Sequence, residues 1–302
     1  MSVETALATR TPLSVRAAEN RRATRLLIGN RTLARVVAMA ALIIMTVMWL
    51  LPFAWALVTS FKSETDAAAS ATWTPPNGWT TQAYENVISK GALATWMLNS
   101  TIVAIFVTLI TVLISAMAAY AFSRTLFRGR KLLFAITVAS IMIPGQILIV
   151  PLFQQMLSFR MVDTFAGIIL PQVVAPIMVF ILKKFFDAIP QELLDAARVD
   201  GAGPWRTFWT VVVPLSQSIL IAVSIFVFIS AWNNFLWPFI VTTDASLMTL
   251  PVGLTTVQDA YGIQYSQNMA SALLAALPLL IVFMLFQRQI VRGVATTGLG
   301  GQ

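Results

Sequence analysis

The chain has 302 residues, 58% of them hydrophobic and 11% charged, against about 25% charged in soluble domains. That balance excludes an ordinary soluble globular domain. The absence of Cys and His removes a disulfide framework, a thiolate metal site and the commonest general base, leaving the usual enzyme toolkit thin.

Residues 1–35 carry Arg10, Arg16, Arg21, Arg22, Arg25, Arg31 and Arg35, opposed only by Glu4 and Glu19. This reads as a basic cytoplasmic N-terminal arm, able to lie on anionic headgroups. A targeting peptide is the rival reading. The following uncharged run, Val36 to Phe61, is 26 residues long, too long for a signal-peptide core and long enough to span a bilayer.

Five further stretches lack charge: 91–123, 132–159, 164–182, 207–243 and 260–287. Each is at least 19 residues long and mostly apolar, enough for roughly 30 Å of hydrocarbon. One central charge would cost about 2.5–3.5 kcal/mol on insertion. The expectation is an all-α, polytopic membrane protein with six transmembrane helices. The uncharged stretch 67–84 contains Pro75, Pro76, Asn77 and Gly78 and reads as loop.

Charge placement sets the orientation. With the N-terminus inside, the inner segments 1–35, 124–131, 183–206 and 288–302 hold 17 of the 20 Lys and Arg. Only Lys62, Lys90 and Arg160 fall outside. Both termini are therefore expected in the cytoplasm. The net charge of +8 orients the protein in lipid and is no nucleic-acid footprint.

The outer segment 62–90 is expected to turn at Pro75–Gly78 and then form a short helix through Tyr84, Asn86 and Ile88. Trp73, Trp79 and Trp96 fit an interfacial aromatic belt. The basic turn from Ser123 to Lys131, including Arg124, reads as a topology signal. The third span contains Ile143-Pro144-Gly145-Gln146 and Pro151; the fourth contains Pro171-Gln172 and Pro176. Proline and glycine bend helices, and freed backbone groups must face protein or water. Breaks in adjacent spans point to a transport path; a packing kink without solute contact explains them equally.

Between the fourth and fifth spans lies the longest charged, helix-compatible interior segment, Pro190 to Pro214. Pro190 suits a first helical turn, and the carboxylates of Glu192 and Asp195 favour that end of the dipole. Leu193, Leu194, Ala196 and Ala197 form a small apolar face. Gly201, after Asp200, suits the left-handed helix stop. A second short amphipathic turn covers Pro204 to Trp209.

The fifth span closes on Ala231-Trp232-Asn233-Asn234-Phe235-Leu236-Trp237-Pro238. Amides in lipid need partners and should point inward. Indoles beside amides suit a sugar, stacked on its apolar face and bonded at its hydroxyls. An aromatic anchor with Asn closing the helix remains the other reading.

Two stretches carry a resemblance. Asp195-Ala196-Ala197, Gly201, Val211, Val213 and Pro214 are similar to the Glu-Ala-Ala loop of ABC-transporter importer permeases, with Asp195, Val211 and Val213 replacing Glu, Ile and Leu. Trp232–Pro238, Thr249-Leu250-Pro251-Val252-Gly253-Leu254 and Phe286–Gly293 resemble the second membrane subunit of maltose-type carbohydrate permeases. This binding-protein-dependent likeness covers roughly residues 40–295.

The resemblance implies the ABC importer permease fold. It implies two similar permeases, two ATPase subunits and an extracytoplasmic solute-binding protein in a bacterial inner membrane. ATP and Mg belong on the ATPase, so this chain needs no cofactor and is no enzyme; no phosphate-binding Gly-Lys loop is present. The docking residues it implies are Glu192, Asp195, Ala196, Ala197, Asp200, Gly201 and Pro214. The residues themselves suggest a solute path at Pro144, Gln146, Gln172, Trp232, Asn233, Asn234 and Trp237. The expected organisation is the arm 1–35, a permease domain 36–292 with its coupling loop at 187–213, and a flexible tail 293–302. Charge-free spans favour a neutral sugar. A polyol, a glycerol-phosphate-type solute, or ion-coupled secondary transport are the alternatives.

Overall fold

The computed structural model describes residues 31–69, 72–89, 92–256 and 264–299. Among these the fold is all-α, with no strand. Most of the basic arm lies outside the described residues. Two compact units divide between Val58 and Thr59.

The first unit contributes most of α1 (Arg31–Ser60), an apolar helix with Pro52 inside it. In the second unit come α2 (Glu64–Ala69), α3 (Gln82–Ser89) and α4 (Leu93–Arg124). Then follow α5 (Arg130–Ser140), α6 (Ile149–Ser158), α7 (Phe165–Ile169) and α8 (Pro176–Asp187). After these come α9 (Gln191–Val199), α10 (Pro204–Thr207), a π-helical turn (Phe208–Val212), α11 (Val213–Leu215) and α12 (Gln217–Trp232). The last elements are α13 (Leu236–Val241), α14 (Leu250–Thr256) and α15 (Tyr265–Leu299). α15 stays helical through Leu299, past residue 293, where a flexible tail is expected.

Among the described residues, three helices are long and apolar enough to cross a membrane unbroken: α1, α4 and the first 23 residues of α15, with mean hydropathy 2.4, 2.7 and 2.5. Three bent helix pairs pass the same test together. Counting each pair as one span, the described residues hold the six spans expected from the sequence.

The bends have identifiable causes. α5 meets Gly145–Ser158 at 94°, where Pro144 is extended at φ −62°, ψ 126° and cannot continue a helix. Phe165–Gln172 meets α8 at 49°, between Pro171 and Pro176. The third differs from expectation. Residues 204–215 meet α12 at 82°, so the start of the apolar run 207–243 turns aside from its span. Pro214 lacks the N–H for an i→i−4 bond, and the wider π turn lies directly before it. At the corner, the Ser216 N–H is shared between the Val212 and Val213 carbonyls.

α4 is the centre of the second unit. Ser100, Val103, Ala104, Val107, Thr111, Ser115, Ala116 and Ala119 are all buried. Small and β-branched side chains on one face let α8 and α12 approach closely. Trp96 also lies on that face and is buried, so it is no interfacial anchor. Its indole fills the space left by Gly253, where an added Cβ would sit 2.1 Å from a ring carbon. Trp73 and Trp79 are exposed.

The expected turn forms at Pro75–Gly78 and the expected short helix is α3. Buried Asp66 holds the turn, accepting from the Asn77 N–H at 3.2 Å and the Asn77 side chain at 2.8 Å.

Candidate functional site

The segment α9–α11 is built around one apolar anchor. Leu194 is buried, while Glu192, Leu193, Asp195, Ala196 and Asp200 are exposed and Ala197 is half-buried. The Asp195 carboxylate accepts from Gln191 at 3.0 Å and Arg198 at 2.9 Å. These exposed bonds firm the helix but add at most about 1 kcal/mol.

Gly201 stops α9. Its φ is +77°, a conformation glycine adopts freely. The Ala202 N–H bonds the Ala197 carbonyl at 2.9 Å, and the Gly201 N–H bonds the Arg198 carbonyl at 3.0 Å. This paired closure satisfies the last carbonyls and turns the chain sharply into α10. Pro214 is exposed in α11, after the cluster of Trp205, Phe208 and Trp209, whose ring centroids lie 5.0–6.1 Å apart.

The end of α4 grips both sides of this segment. Arg124 Nε donates to the Phe186 carbonyl at 3.0 Å, and its NH2 group donates to the Phe186 and Ile189 carbonyls. Its NH1 group reaches the Gln191 side chain at 3.0 Å. Ser123 donates to Asp187 at 2.6 Å. Across the segment, the Tyr120 hydroxyl donates to the Pro204 carbonyl at 3.0 Å. In sequence Arg124 reads only as a topology charge. The signal available was the four-residue spacing of Tyr120 and Arg124, which places them on one helical face.

Of the residues singled out for a solute path, Gln172, Asn234 and Trp237 meet at the Phe165–Gln172 segment. Asn234 donates to Gln172 at 2.7 Å, and Gln172 donates to the Ile168 carbonyl at 2.8 Å. Trp237 is buried and donates to the Gly167 carbonyl at 3.1 Å. Trp232 is buried and stacks on Phe228 with centroids 6.0 Å apart. Asn233 is exposed and bonds the Ile229 carbonyl within its own helix. Pro144 and Gln146 are exposed at the 94° bend. A largely apolar groove of about 780 Å³ runs between the two bent spans, lined by Ile143, Gly145, Leu152, Gln155, Pro171 and Val174 among others.

Two further anchors carry no local sequence signal. Asn99 donates to the Ser246 and Met248 carbonyls at 2.8 and 2.9 Å, Ser100 accepts from the Leu250 N–H at 2.8 Å, and Trp96 donates to the Ala245 carbonyl at 3.3 Å. The start of α4 therefore holds residues 245–250. Asp163 accepts from the Thr243 hydroxyl at 2.6 Å and from the Thr243 and Asp244 N–H groups. The Thr243 hydroxyl first, then the two backbone donors, lower the Asp163 carboxyl below the ordinary value of 3.8. Among the described residues, no group of three or more acidic side chains is arranged to hold a metal.

Comparison with known proteins places this geometry. Over 278 residues the chain is 34% identical to the trehalose/maltose transport system permease protein MalG of Thermococcus litoralis, covering 90% of this chain and 99% of that one. It is 36% identical to the sn-glycerol-3-phosphate transport system permease protein UgpE of Yersinia pestis, covering 65% and 71%. Its fold matches a crystal structure of a bacterial ABC transporter involved in import of the acidic polysaccharide alginate, with a TM-score of 0.77 and 20% identity over 85% of this chain and 96% of that one. Residues 111–296 match the family described as binding-protein-dependent transport system inner membrane component. With its broken spans, its self-capped loop helix and this match over more than half its length, the chain belongs to that family of inner-membrane transport permeases.

Proposed function

We propose that this permease forms half of a sugar-import path and is driven by a separate ATPase that grips α9. The partners are a second, similar permease, two ATPase subunits carrying ATP and Mg, and an extracytoplasmic solute-binding protein. Both termini and α9 lie on the cytoplasmic side. That placement is supported by the Lys and Arg distribution, which is independent of the loop motif.

The observation that carries the reading is the state of α9. It is a short helix with one buried anchor, an exposed polar face and a self-satisfied end. Such an element moves as a unit when pulled. The docking face is Glu192, Asp195, Ala196, Ala197, Asp200 and Gly201, with Pro214 closing the segment. Purifying the protein with its membrane assembly tests this. An ATPase subunit co-elutes with the wild type, and Gly201→Asp abolishes association or coupled transport. Normal coupled transport by that variant overturns the reading.

The solute is a neutral sugar. Support comes from spans without ionisable residues and from the name of the trehalose/maltose relative. The glycerol-phosphate relative favours a second reading, with helix N-termini or the partner permease supplying the positive field. Labelled uptake in a strain lacking the gene separates them. Loss of phosphate-ester uptake with unchanged sugar uptake would refute the neutral solute.

A further inference from the structure

The docking segment is bonded at both ends to one helix, α4, a span without proline, glycine or break. Arg124 holds the carbonyls that end α8 and the side chain that opens α9; Tyr120, one turn earlier, holds Pro204 at the start of α10. Among the described spans, α1 and α15 contain proline and three others are broken. α4 alone runs 32 residues with no proline, glycine or break, about 48 Å at 1.5 Å per residue. Its opposite end holds residues 245–250 through Trp96, Asn99 and Ser100.

We propose that α4 is the rod that carries displacement of the docking segment to the 245–250 loop, with Arg124 as the positioning residue that makes rod and segment move as one. The proposal rests on the reading of α9 as the ATPase-docking helix. Leu194 alone, as a single apolar anchor, leaves α9 free to pivot. The guanidinium removes that freedom, because its planar fork bridges three acceptors at fixed angles. Lysine, a point charge on a flexible stem, cannot do so. Two of the acceptors are the carbonyls of Phe186 and Ile189, at and just beyond the end of α8, and the third is the Gln191 side chain that opens α9.

The chain contains no cysteine, so a single Ala245→Cys, labelled with a nitroxide before reconstitution with its partners, is the one labelled site. Ala245 is exposed, and only its carbonyl is used in the contact with Trp96. In the reconstituted complex, adding MgATP shifts the spectrum at residue 245. With Arg124→Gln the ATPase still co-elutes and the shift is lost; Arg124→Lys does not restore it. A purely stabilising role would lower yield and leave the shift intact. A wild-type-sized shift in Arg124→Gln, or none in the otherwise wild-type chain, overturns the proposal. If Arg124→Gln does not fold, Tyr120→Phe is read instead: the shift falls, and an unchanged shift overturns the proposal. Gly201→Asp separates the two ideas. Normal coupled transport by that variant sinks the docking reading itself, whatever residue 245 reports.

Discussion

The side-chain amide of Asn234 donates to the side-chain oxygen of Gln172 at 2.7 Å across 62 positions of chain. The contact ties the end of the fifth span to the bend of the fourth. Replacing one partner leaves the other without its bond in a partly buried place. Asn234→Leu should cost about 1–3 kcal/mol, read as a lower Tm in detergent. The double change with Gln172→Leu should recover part of that loss, a coupling that a mutant cycle measures.

Glu64 closes the start of α15. Its carboxylate accepts from the Tyr265 N–H, from the Ser266 N–H at 3.2 Å and from the Ser266 hydroxyl. A carboxylate on unpaired N–H groups at a helix start is favoured by bond and dipole together. Glu64→Gln should destabilise by about 0.5–2 kcal/mol. Hydrogen exchange should quicken in the first turn of α15 and stay unchanged in α4.

Gly253 has no room for a methyl group, because Trp96 ring carbons lie 2.1–2.5 Å from where it would sit. Gly253→Ala should cost about 1–3 kcal/mol through overpacking. Trp96→Leu in the same chain should recover part of the thermal stability; the single Trp96→Leu change should itself destabilise by opening a cavity.

Asp163 gives an acid-side dependence. Its carboxyl is lowered below 3.8, first by the Thr243 hydroxyl and then by the Asp244 and Thr243 N–H groups. A lowered folded value means the stabilisation is fully present above the ordinary carboxylate range. It is lost as pH falls through the lower, folded value. Asp163→Asn should flatten the acid limb of a Tm-against-pH curve and leave the curve above pH 6 parallel to wild type.

Much of the architecture was legible because the forces are local. Charge-free runs announce spans, and Pro144-Gly145, Pro171 and Pro176 announce two of the three bends. The bend at Ser216 was missed because apolarity measures affinity for lipid and not direction. Residues 207–215 are as greasy as the span they precede, and Pro214 read as a motif end instead of a corner. Trp96 was misplaced for another reason. Nothing near it in sequence says that a glycine 157 positions later opens a slot for its ring. Arg124 likewise takes its partners from carbonyls 62 and 65 positions away, which no spacing rule reaches. In the segment 190–214, Gly201 was readable because a helix stop is written in adjacent residues. The Gln172–Asn234 pair was only half readable. The amides announced a need for partners, and the tertiary fold chose which.

The Glu64 clasp also sets an order of events during synthesis. Its acceptor and donors are separated by 201 residues, so the early loop waits for nearly all the remaining chain, about 10–40 s at roughly 5–20 residues per second. Until Tyr265 emerges and crosses, that loop lacks its last fastening. A ribosome-stalled chain ending before residue 264 should therefore expose residues 64–80 to protease, and one that includes α15 should shield them.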